Sequence, residues 1–402
     1  MSIGVTATYR FPTHPEQQKQ AEQYALGLTV GSWTDIGHLE QEQLKKHKGE
    51  VISVEKGEEK DTVKIFYPAA NFSADLPAIL TTVYGKLSFF EGYELIDLTF
   101  DNEVLSQFPG PRFGVKGIRE TLEVHDRPLL MAIFKGVMGR DLSFFSEQLE
   151  DLLEGGIDLI KDDEILFEND LTPFYKRVTT AKGILDRHYE QTGHRALYAV
   201  NLSGKTNELH EKAERAAELG ANALLFNVHA YGLDALQSLR ENNNINLPIV
   251  AHSALSGVLA GQPVGGYSYS LLVGKMTRMA GGDFSLYPSP YGNVAISRND
   301  ALAIGQALTE ENPFEKVFSV PSAGIHPGMV PQLLEDFGSE SLVINAGGGI
   351  FGHPDGPVQG TKAFRAAIDA SVKGISLEEA AATSEPLKRA IDQWGTAVSA
   401  KG

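Results

Sequence analysis

Beyond Arg127 the chain alternates between short apolar runs and longer segments in which apolar residues recur every three or four positions. Short apolar runs are typical of buried strands, and the longer period is typical of helices that bury one face. The runs predict eight strands, namely Leu129–Phe134, Ile157–Lys161, Ala196–Asn201, Ala223–Val228, Pro248–His252, Phe284–Tyr287, Val317–Val320 and Leu342–Asn345. The longer segments predict helices that include Leu142–Leu153, Pro173–Tyr189, Glu208–Leu219 and Lys362–Ser371.

Strands and helices in this alternation predict an α/β fold, a closed (β/α)8 TIM barrel, with a doubly wound open sheet as the alternative. The positions of polar residues favour the barrel, because barrel enzymes build their sites at the C-terminal ends of the strands. The polar and glycine positions at or just past those ends are Lys135, Lys161, Asn201, His229, His252, Ser322 and Gly347.

The first part of the chain has a different pattern, in which β-type runs and helical stretches indicate an α+β layer domain. The predicted elements are the strands Val5–Tyr9, Thr62–Phe66 and Tyr93–Leu98 and the helices Gln17–Gly27 and Ala74–Tyr84. A stretch rich in glycine and proline over 108–114 then predicts a linker. With 402 residues, we expect two domains, an α+β domain over 1–122 and the barrel over 123–402. The C-terminal tail opens with a capping box at Ser376 and predicts a further helix.

Composition narrows the chemistry. The chain has no cysteine, which excludes disulfides, thiolate metal ligands and a cysteine nucleophile. A formal net charge of −17 argues against a nucleic-acid-binding surface, although it leaves an anionic small substrate open. We find no apolar run long enough to cross a membrane and no signal-peptide pattern, so we expect a cytoplasmic protein without membrane or nucleic-acid partners.

The segment Gly155–Glu164 contains the most informative cluster of charged residues. On a strand, Lys161 and Asp163 would share the face that points into the barrel mouth, with Glu164 just beyond. A buried lysine–aspartate ion pair would explain them without a metal. Three ionisable groups near an apolar interior are nevertheless costly unless a partner such as a divalent cation offsets them. Magnesium prefers oxygen ligands, and a carbamate on Lys161 would add a third to the two carboxylates.

The same segment resembles the metal-site motif of ribulose bisphosphate carboxylase (RuBisCO) and its relatives, in which the lysine is carbamylated. Further similarities lie at 31–34, 108–111, Lys135, His252, 281–283, 322–326, 347–349 and 352–354, so that the resemblance covers most of the chain. It implies the RuBisCO large-subunit fold, with a ferredoxin-like N-terminal domain and a TIM barrel. It also implies one Mg²⁺ per subunit, held by Asp163, Glu164 and Lys161 as N6-carboxylysine, with CO₂ as the source of the carbamate.

Three departures from the carboxylase pattern concern the carboxylation step. This chain has Gly27 in place of a catalytic glutamate, Asn293 in place of the lysine of the mobile sixth loop, and Val137 in place of a second lysine after the first barrel strand. We therefore expect that it does not fix carbon dioxide onto a substrate. The earlier half-reaction, enolisation, remains possible.

Lys86 stands where the carboxylases carry an asparagine. In this the chain resembles the RuBisCO-like enolases of methionine salvage. The resemblance implies that Lys86 is the general base, and that the reaction converts 2,3-diketo-5-methylthiopentyl 1-phosphate into 2-hydroxy-3-keto-5-methylthiopentenyl 1-phosphate. It further implies a homodimer in which the active site is shared between subunits.

Glycine-rich loops after the last two barrel strands predict a phosphate site, because exposed backbone amides can hold phosphate oxygens. The predicted phosphate-binding residues are Ser322, Ala323, Gly324, Gly347, Gly348 and Gly349. By resemblance, Ser32 adds a hydroxyl, and Lys135 and His252 contact the substrate. We assign no catalytic role to His229 or His326.

Three alternatives remain open from the sequence. One is another RuBisCO-like isomerase or decarboxylase that acts on a different sugar phosphate. A second is a metal-free aldolase in which Lys161 forms a Schiff base. The third is a non-catalytic phosphate sensor, which would bind its ligand without turnover.

Overall fold

The computed structural model describes residues 3–31, 41–294 and 296–396. Its strands form two separate sheets, one of five strands and one of eight. The strands are β1 (Gly4–Pro12), β2 (Glu50–Glu55), β3 (Lys60–Pro68), β4 (Tyr93–Phe100), β5 (Leu129–Ile133), β6 (Leu159–Lys161), β7 (Leu197–Asn201), β8 (Ala223–Phe226), β9 (Ile249–His252), β10 (Gly265–Tyr267), β11 (Phe284–Pro288), β12 (Phe318–Ser322) and β13 (Val343–Ala346).

Helices connect most of these strands. The α-helices are Gln17–Gly27, Gln41–His47, Leu76–Leu80, Asn102–Leu105, Gly114–Leu122, Leu142–Glu154, Phe174–Thr192, Leu209–Glu218, Val228–Tyr231, Leu233–Glu241, Ser256–Leu259, Thr277–Met279, Arg298–Thr309, Val330–Phe337, Gly348–Phe351, Pro357–Val372, Leu377–Ala381 and Glu385–Trp394. Short 3₁₀ turns lie at Ala69–Asn71, Leu87–Phe89, Thr206–Glu208 and Pro327–Met329, and π-helical turns lie at Thr81–Gly85 and Ser270–Met276. Within the described ranges, no helix combines the length and the apolar content that a membrane span requires.

The smaller sheet has the order β10-β4-β1-β3-β2, and its first four strands in the chain pair antiparallel with one another. Alternate residues of β1, such as Tyr9 and Phe11, are buried beneath the helix Gln17–Gly27. Tyr24 of this helix and Tyr93 of β4 pack on Phe11 and complete an aromatic cluster. The α+β prediction is therefore confirmed. Two strands were not predicted: none of the positions in β2 is fully buried, and β10 comes from the second half of the chain to pair parallel with β4.

The larger sheet is a parallel barrel in which β5, β6, β7, β8, β9, β11 and β12 follow one another and β13 pairs with β5. A parallel bridge between Ser319 and Leu342 joins β12 to β13 and closes the cylinder. All eight predicted barrel strands are confirmed, and the open doubly wound sheet is wrong.

The barrel interior is filled by apolar residues from alternate strand positions, as expected for a packed barrel core. The helix Gly114–Leu122 joins this cluster through Val115, Ile118 and Leu122, so it covers one end of the barrel. The amides of Phe113 and Gly114 donate to Asp283 Oδ1 at 2.8 and 3.0 Å. The domain division between 122 and 123 stays a prediction.

A buried ion pair fixes the start of β6. Asp158 accepts two hydrogen bonds from Arg127, at 2.7 and 2.8 Å, and one from the Leu130 amide at 2.8 Å. Burial would raise the pKa of Asp158, but the Arg127 guanidinium and His194 hold it well below its usual range. This carboxylate therefore stays charged and ties β5 to β6 at the end of the barrel where both strands begin.

Candidate active site

The cluster at the end of β6 centres on a fully buried lysine. The Lys161 side chain is 0% exposed, and its Nζ donates to the Asp162 carbonyl at 3.0 Å and lies 3.2 Å from Glu164 Oε2. The strand ends at Lys161, so Asp163 and Glu164 lie in the turn that follows. Lys161, Asp163 and Glu164 thus come together at the barrel mouth, as the sequence predicts.

Neighbouring strands hold this turn in place. The buried Asp162 accepts from the Tyr198 hydroxyl at 2.6 Å and from the Asn201 amide at 2.9 Å. The Asn201 side-chain Nδ2 donates to the carbonyls of Glu164 and Leu166 at 3.0 and 3.2 Å. Side-chain Nδ2 of Asn227, just past β8, donates to the same Glu164 carbonyl at 3.2 Å.

Asp162, Asn201 and Asn227 were not predicted to be site residues. The position of Asn201 at a strand end was the one available signal for it, and Asp162 lay inside the charged segment without an assigned part. Asn227 was predicted only as part of the strand Ala223–Val228. Because hydrogen bonds to buried carbonyls fix backbone position, these residues determine where the two carboxylates point.

The charges in the cluster are strongly interdependent. Burial lowers the pKa of Lys161, and the carboxylates of Glu164 and Asp163 partly oppose that effect. Burial acts to raise the pKa of Glu164, but the charges of Lys161 and His252 outweigh it and lower the pKa to about 2. Glu164 is therefore ionised at neutral pH.

Lys135 links the cluster to a glycine loop. Its Nζ lies 2.9 Å from Asp163 Oδ2, and its side chain is 44% exposed at the barrel mouth. A Cβ atom at Gly347 would lie 2.7 Å from Lys135 Cε, so the lysine stem crosses directly over this glycine. Lys135 can therefore reach a ligand that lies between the β6 turn and the loop after β13.

His252 ends β9 on the other side of Glu164. Its Nε2 lies 3.4 Å from Glu164 Oε2, and its Nδ1 accepts from the Ala254 amide at 3.1 Å. Burial, followed by the charge of Lys161, lowers the pKa of His252 to about 4. The ring is therefore neutral at pH 7, with the Nε2 proton available to Glu164 or a ligand. Burial also lowers the pKa of His229 to about 4, but His229 contributes no hydrogen bond to the cluster in the described part of the chain.

The first of the two predicted phosphate loops, after β12, has an unusual backbone conformation. Ala323 and Gly324 follow β12 with φ angles of +72° and +74°, and a non-glycine residue is uncommon in that left-handed region. In the described part of the chain, the backbone amides of Ala323, Gly324 and Gly347 donate to no backbone carbonyl in the turns and loops. A Cβ at Gly348 would meet no atom within 4 Å, so its backbone faces open space. These amides can receive an anion.

The oxygen ligands of the cluster fit a hard divalent cation only in part. In the ranges that the structure covers, no three His, Cys, Asp or Glu side chains are placed to hold a metal ion. Asp163 and Glu164 could supply two carboxylate ligands, and each already contacts a lysine amine. A third anionic oxygen at this place would have to come from Lys161, whose Nζ is the adjacent atom.

One predicted residue, Lys86, is not brought to the cluster within the described part of its own chain. Lys86 follows the π-helical turn Thr81–Gly85 in the smaller domain, where it is exposed. No hydrogen bond or ion pair joins it to Lys161, Asp163 or Glu164 in the described part of the chain. Ser32 lies outside the described residues.

The chain matches the family models of two domains of one protein, and the two matches together cover most of its length. Residues 5–101 match the N-terminal domain of the ribulose bisphosphate carboxylase large chain, and residues 114–287 and 298–394 match its catalytic domain.

Similar proteins point to one branch of that family. The chain is 57% identical to a 2,3-diketo-5-methylthiopentyl-1-phosphate enolase from Geobacillus thermodenitrificans (strain NG80-2), over 97% of this chain and 98% of the relative. It is 56% identical to an enolase of the same name from Bacillus licheniformis, over 94% and 95%.

Solved structures support the same family assignment. A RuBisCO-like protein from Alicyclobacillus acidocaldarius is 41% identical with a TM-score of 0.92, and the match covers 98% of this chain and 100% of that one. The octameric RuBisCO from Pyrococcus horikoshii OT3 is 34% identical with a TM-score of 0.91, covering 98% and 93%. The chain belongs to the ribulose bisphosphate carboxylase large-chain family.

Proposed function

We propose that this chain catalyses the enolisation of 2,3-diketo-5-methylthiopentyl 1-phosphate to 2-hydroxy-3-keto-5-methylthiopentenyl 1-phosphate in methionine salvage. The observation that carries this proposal is the identity of 54–57% with enolases of that name over nearly the whole chain. The reaction is a tautomerisation: a proton leaves C1 and a proton is added to the C2 oxygen, so no atom or electron is gained or lost.

The charged cluster supports a magnesium-dependent form of this reaction. Asp163, Glu164 and Lys161 as N6-carboxylysine would hold one Mg²⁺ per subunit. A lysine ammonium cannot ligate a metal, whereas its carbamate presents anionic oxygens next to Glu164, which lies 3.2 Å from Nζ. When bound, the ion would supply positive charge that stabilises the enolate.

The protein residues around the cluster would orient the substrate. The amides after β12 and β13 would hold the phosphate, and Ser32 would add a hydroxyl. Lys135 reaches from Asp163 to Gly347, so its ammonium would lie between the phosphate and the two carbonyl oxygens. His252, neutral at pH 7, would donate from Nε2 to a substrate oxygen.

Lys86 would remove the proton from C1, and it would do so across a subunit interface. Its exposure and its lack of contact with the cluster in the described part of its own chain favour a homodimer in which each smaller domain completes the neighbouring barrel site. Phe89, one turn further along, is 89% exposed, and the apolar Ile165 and Phe167 are exposed just after Glu164. An interface would remove all three from water.

The direct test is formation of the enol from 2,3-diketo-5-methylthiopentyl 1-phosphate, followed by ultraviolet absorbance with Mg²⁺, with and without bicarbonate preincubation. We expect Mg²⁺-dependent turnover that bicarbonate stimulates, and almost none from Lys161→Ala. A ¹³C-bicarbonate NMR signal that disappears in Lys161→Ala would report the carbamate independently of activity.

Other outcomes would indicate the alternatives. If the protein turns over only a different sugar phosphate, that compound would be the substrate instead. Covalent attachment of the substrate to Lys161 after borohydride reduction of the imine to a secondary amine would indicate a Schiff base. Phosphate binding without turnover of any substrate would indicate a sensor.

A further inference from the structure

The two glycine loops pack directly against each other. A Cβ at Gly349 would lie 2.2 Å from the Ile325 carbonyl oxygen and 3.1 Å from His326 Cα. Ile325 and His326 continue the loop that follows Ser322, and Gly349 lies in the short helix Gly348–Phe351, which continues the turn after β13. Neither loop can move toward the other, so their relative position depends on what supports them from behind.

The C-terminal helix Glu385–Trp394 provides that support. The Trp394 ring stacks on the His326 imidazole, with centroids 6.0 Å apart and planes inclined by 21°. From the same helix turn, Gln393 Nε2 donates to the Gly352 carbonyl at 3.0 Å. One helix end therefore contacts the continuation of both loops.

Close backbone contacts reinforce the support. A Cβ at Gly328 would lie 2.0 Å from the Gly395 carbonyl oxygen, and one at Gly352 would lie 3.7 Å from Trp394. At the start of the helix, His353 Nε2 lies 2.9 Å from the Pro386 carbonyl oxygen. The C-terminal end of the helix thus contacts both loop continuations, and its start contacts the continuation of the loop after β13.

We infer that Trp394 and His326 are positioning residues that hold the two glycine loops in the arrangement that binds the substrate phosphate. The inference rests on the phosphate site of the proposed function. His326 is two residues from Gly324, whose amide has no backbone acceptor in the described part of the chain. A shift of the imidazole therefore displaces a phosphate-binding amide.

The effect should appear in binding rather than in the chemical step. The loops would hold the phosphate in the substrate and in the enolate alike, so that losing their alignment raises KM and leaves kcat nearly unchanged. One charge-assisted hydrogen bond is worth about tenfold in affinity. Trp394→Ala, which removes the stacked ring, should therefore weaken phosphate binding by about tenfold.

The experiment compares three variants of the full chain with the wild type. Trp394→Ala should raise both KM and the dissociation constant for inorganic phosphate, measured by calorimetry. Trp394→Phe keeps a ring on His326 and should restore most of the affinity. Lys388→Ala, on an exposed position of the same helix, is the matched control and should change neither value.

Folding and function are separated by the choice of readouts. A folded Trp394→Ala protein with wild-type KM and phosphate affinity would overturn the inference. If that variant does not fold, hydrogen exchange on the wild type decides, because phosphate should slow exchange in 385–394 as well as in the loops, and unchanged exchange in the helix would refute the inference. Phosphate binding without enolase turnover would reject the proposed substrate and still test the positioning role.

Discussion

Asn201 offers a quantitative test of how the carboxylate-bearing turn is held. Its Nδ2 is the side-chain donor for the Leu166 carbonyl and shares the Glu164 carbonyl with Asn227. In Asn201→Ala, the buried Leu166 carbonyl loses this partner at a cost of about 1–3 kcal/mol. The variant also removes Asn201 Oδ1, a buried acceptor without a partner among the described residues, which offsets part of that cost. We expect a net loss of about 1–2 kcal/mol.

Asn227→Ala is the matched comparison. It removes one of the two donors to the Glu164 carbonyl and leaves Asn201 in place, and it also removes Asn227 Oδ1, another buried acceptor without a partner among the described residues. The loss should therefore be smaller, about 0.5–1 kcal/mol. In the double variant the Glu164 carbonyl has neither donor. The loss of unfolding free energy in the double variant should therefore exceed the sum of the two single-variant losses by about 1 kcal/mol.

The assay is urea unfolding followed by far-ultraviolet circular dichroism, with free energies compared at equal m values. Mg²⁺ affinity in the presence of bicarbonate should weaken in the same order, because the turn carries the two carboxylates. Strictly additive losses, within about 0.3 kcal/mol, would show that the two asparagines do not share the Glu164 carbonyl in solution and would refute the reasoning.

Three further outcomes are expected. Mixing Lys86→Ala with Lys161→Ala protein should restore part of the activity through hybrid dimers, and no recovery after verified subunit exchange would contradict a shared site. Gly349→Ala should raise KM strongly because its Cβ would lie 2.2 Å from a carbonyl oxygen, whereas Gly348→Ala meets open space and should fold normally, as thermal unfolding and kinetics of both would show. Asp158 has a folded-state pKa below that of the unfolded chain, so its stabilisation is present above about pH 4 and is lost as the pH falls through the folded value. Asp158→Asn should therefore be less stable at pH 7 and show a flatter decline in acid, and an unchanged acid profile would contradict this role.

The element pattern determined most of the fold. All eight barrel strands were predicted because each is a short apolar run, and local sequence is sufficient to encode such a run. β10 could not be predicted, since Gly265–Tyr267 has no strand pattern of its own and pairs only because the loop after β9 reaches β4. The helix predicted over Ala74–Tyr84 is shorter, Leu76–Leu80, and continues as a π-helical turn before Lys86.

By itself the sequence determined the part of the site that is contiguous in the chain. Lys161, Asp163 and Glu164 follow one strand, so their proximity is a consequence of local geometry, and the same holds within each glycine loop. Only the tertiary structure decided which distant groups meet them. Closure of the barrel brings His252 to Glu164, the pairing of β5 with β6 brings Lys135 to Asp163, and strand neighbours place two asparagine amides on one carbonyl. The physical reason is that these contacts depend on strand order and register around the cylinder, which no local pattern of apolar and polar residues specifies.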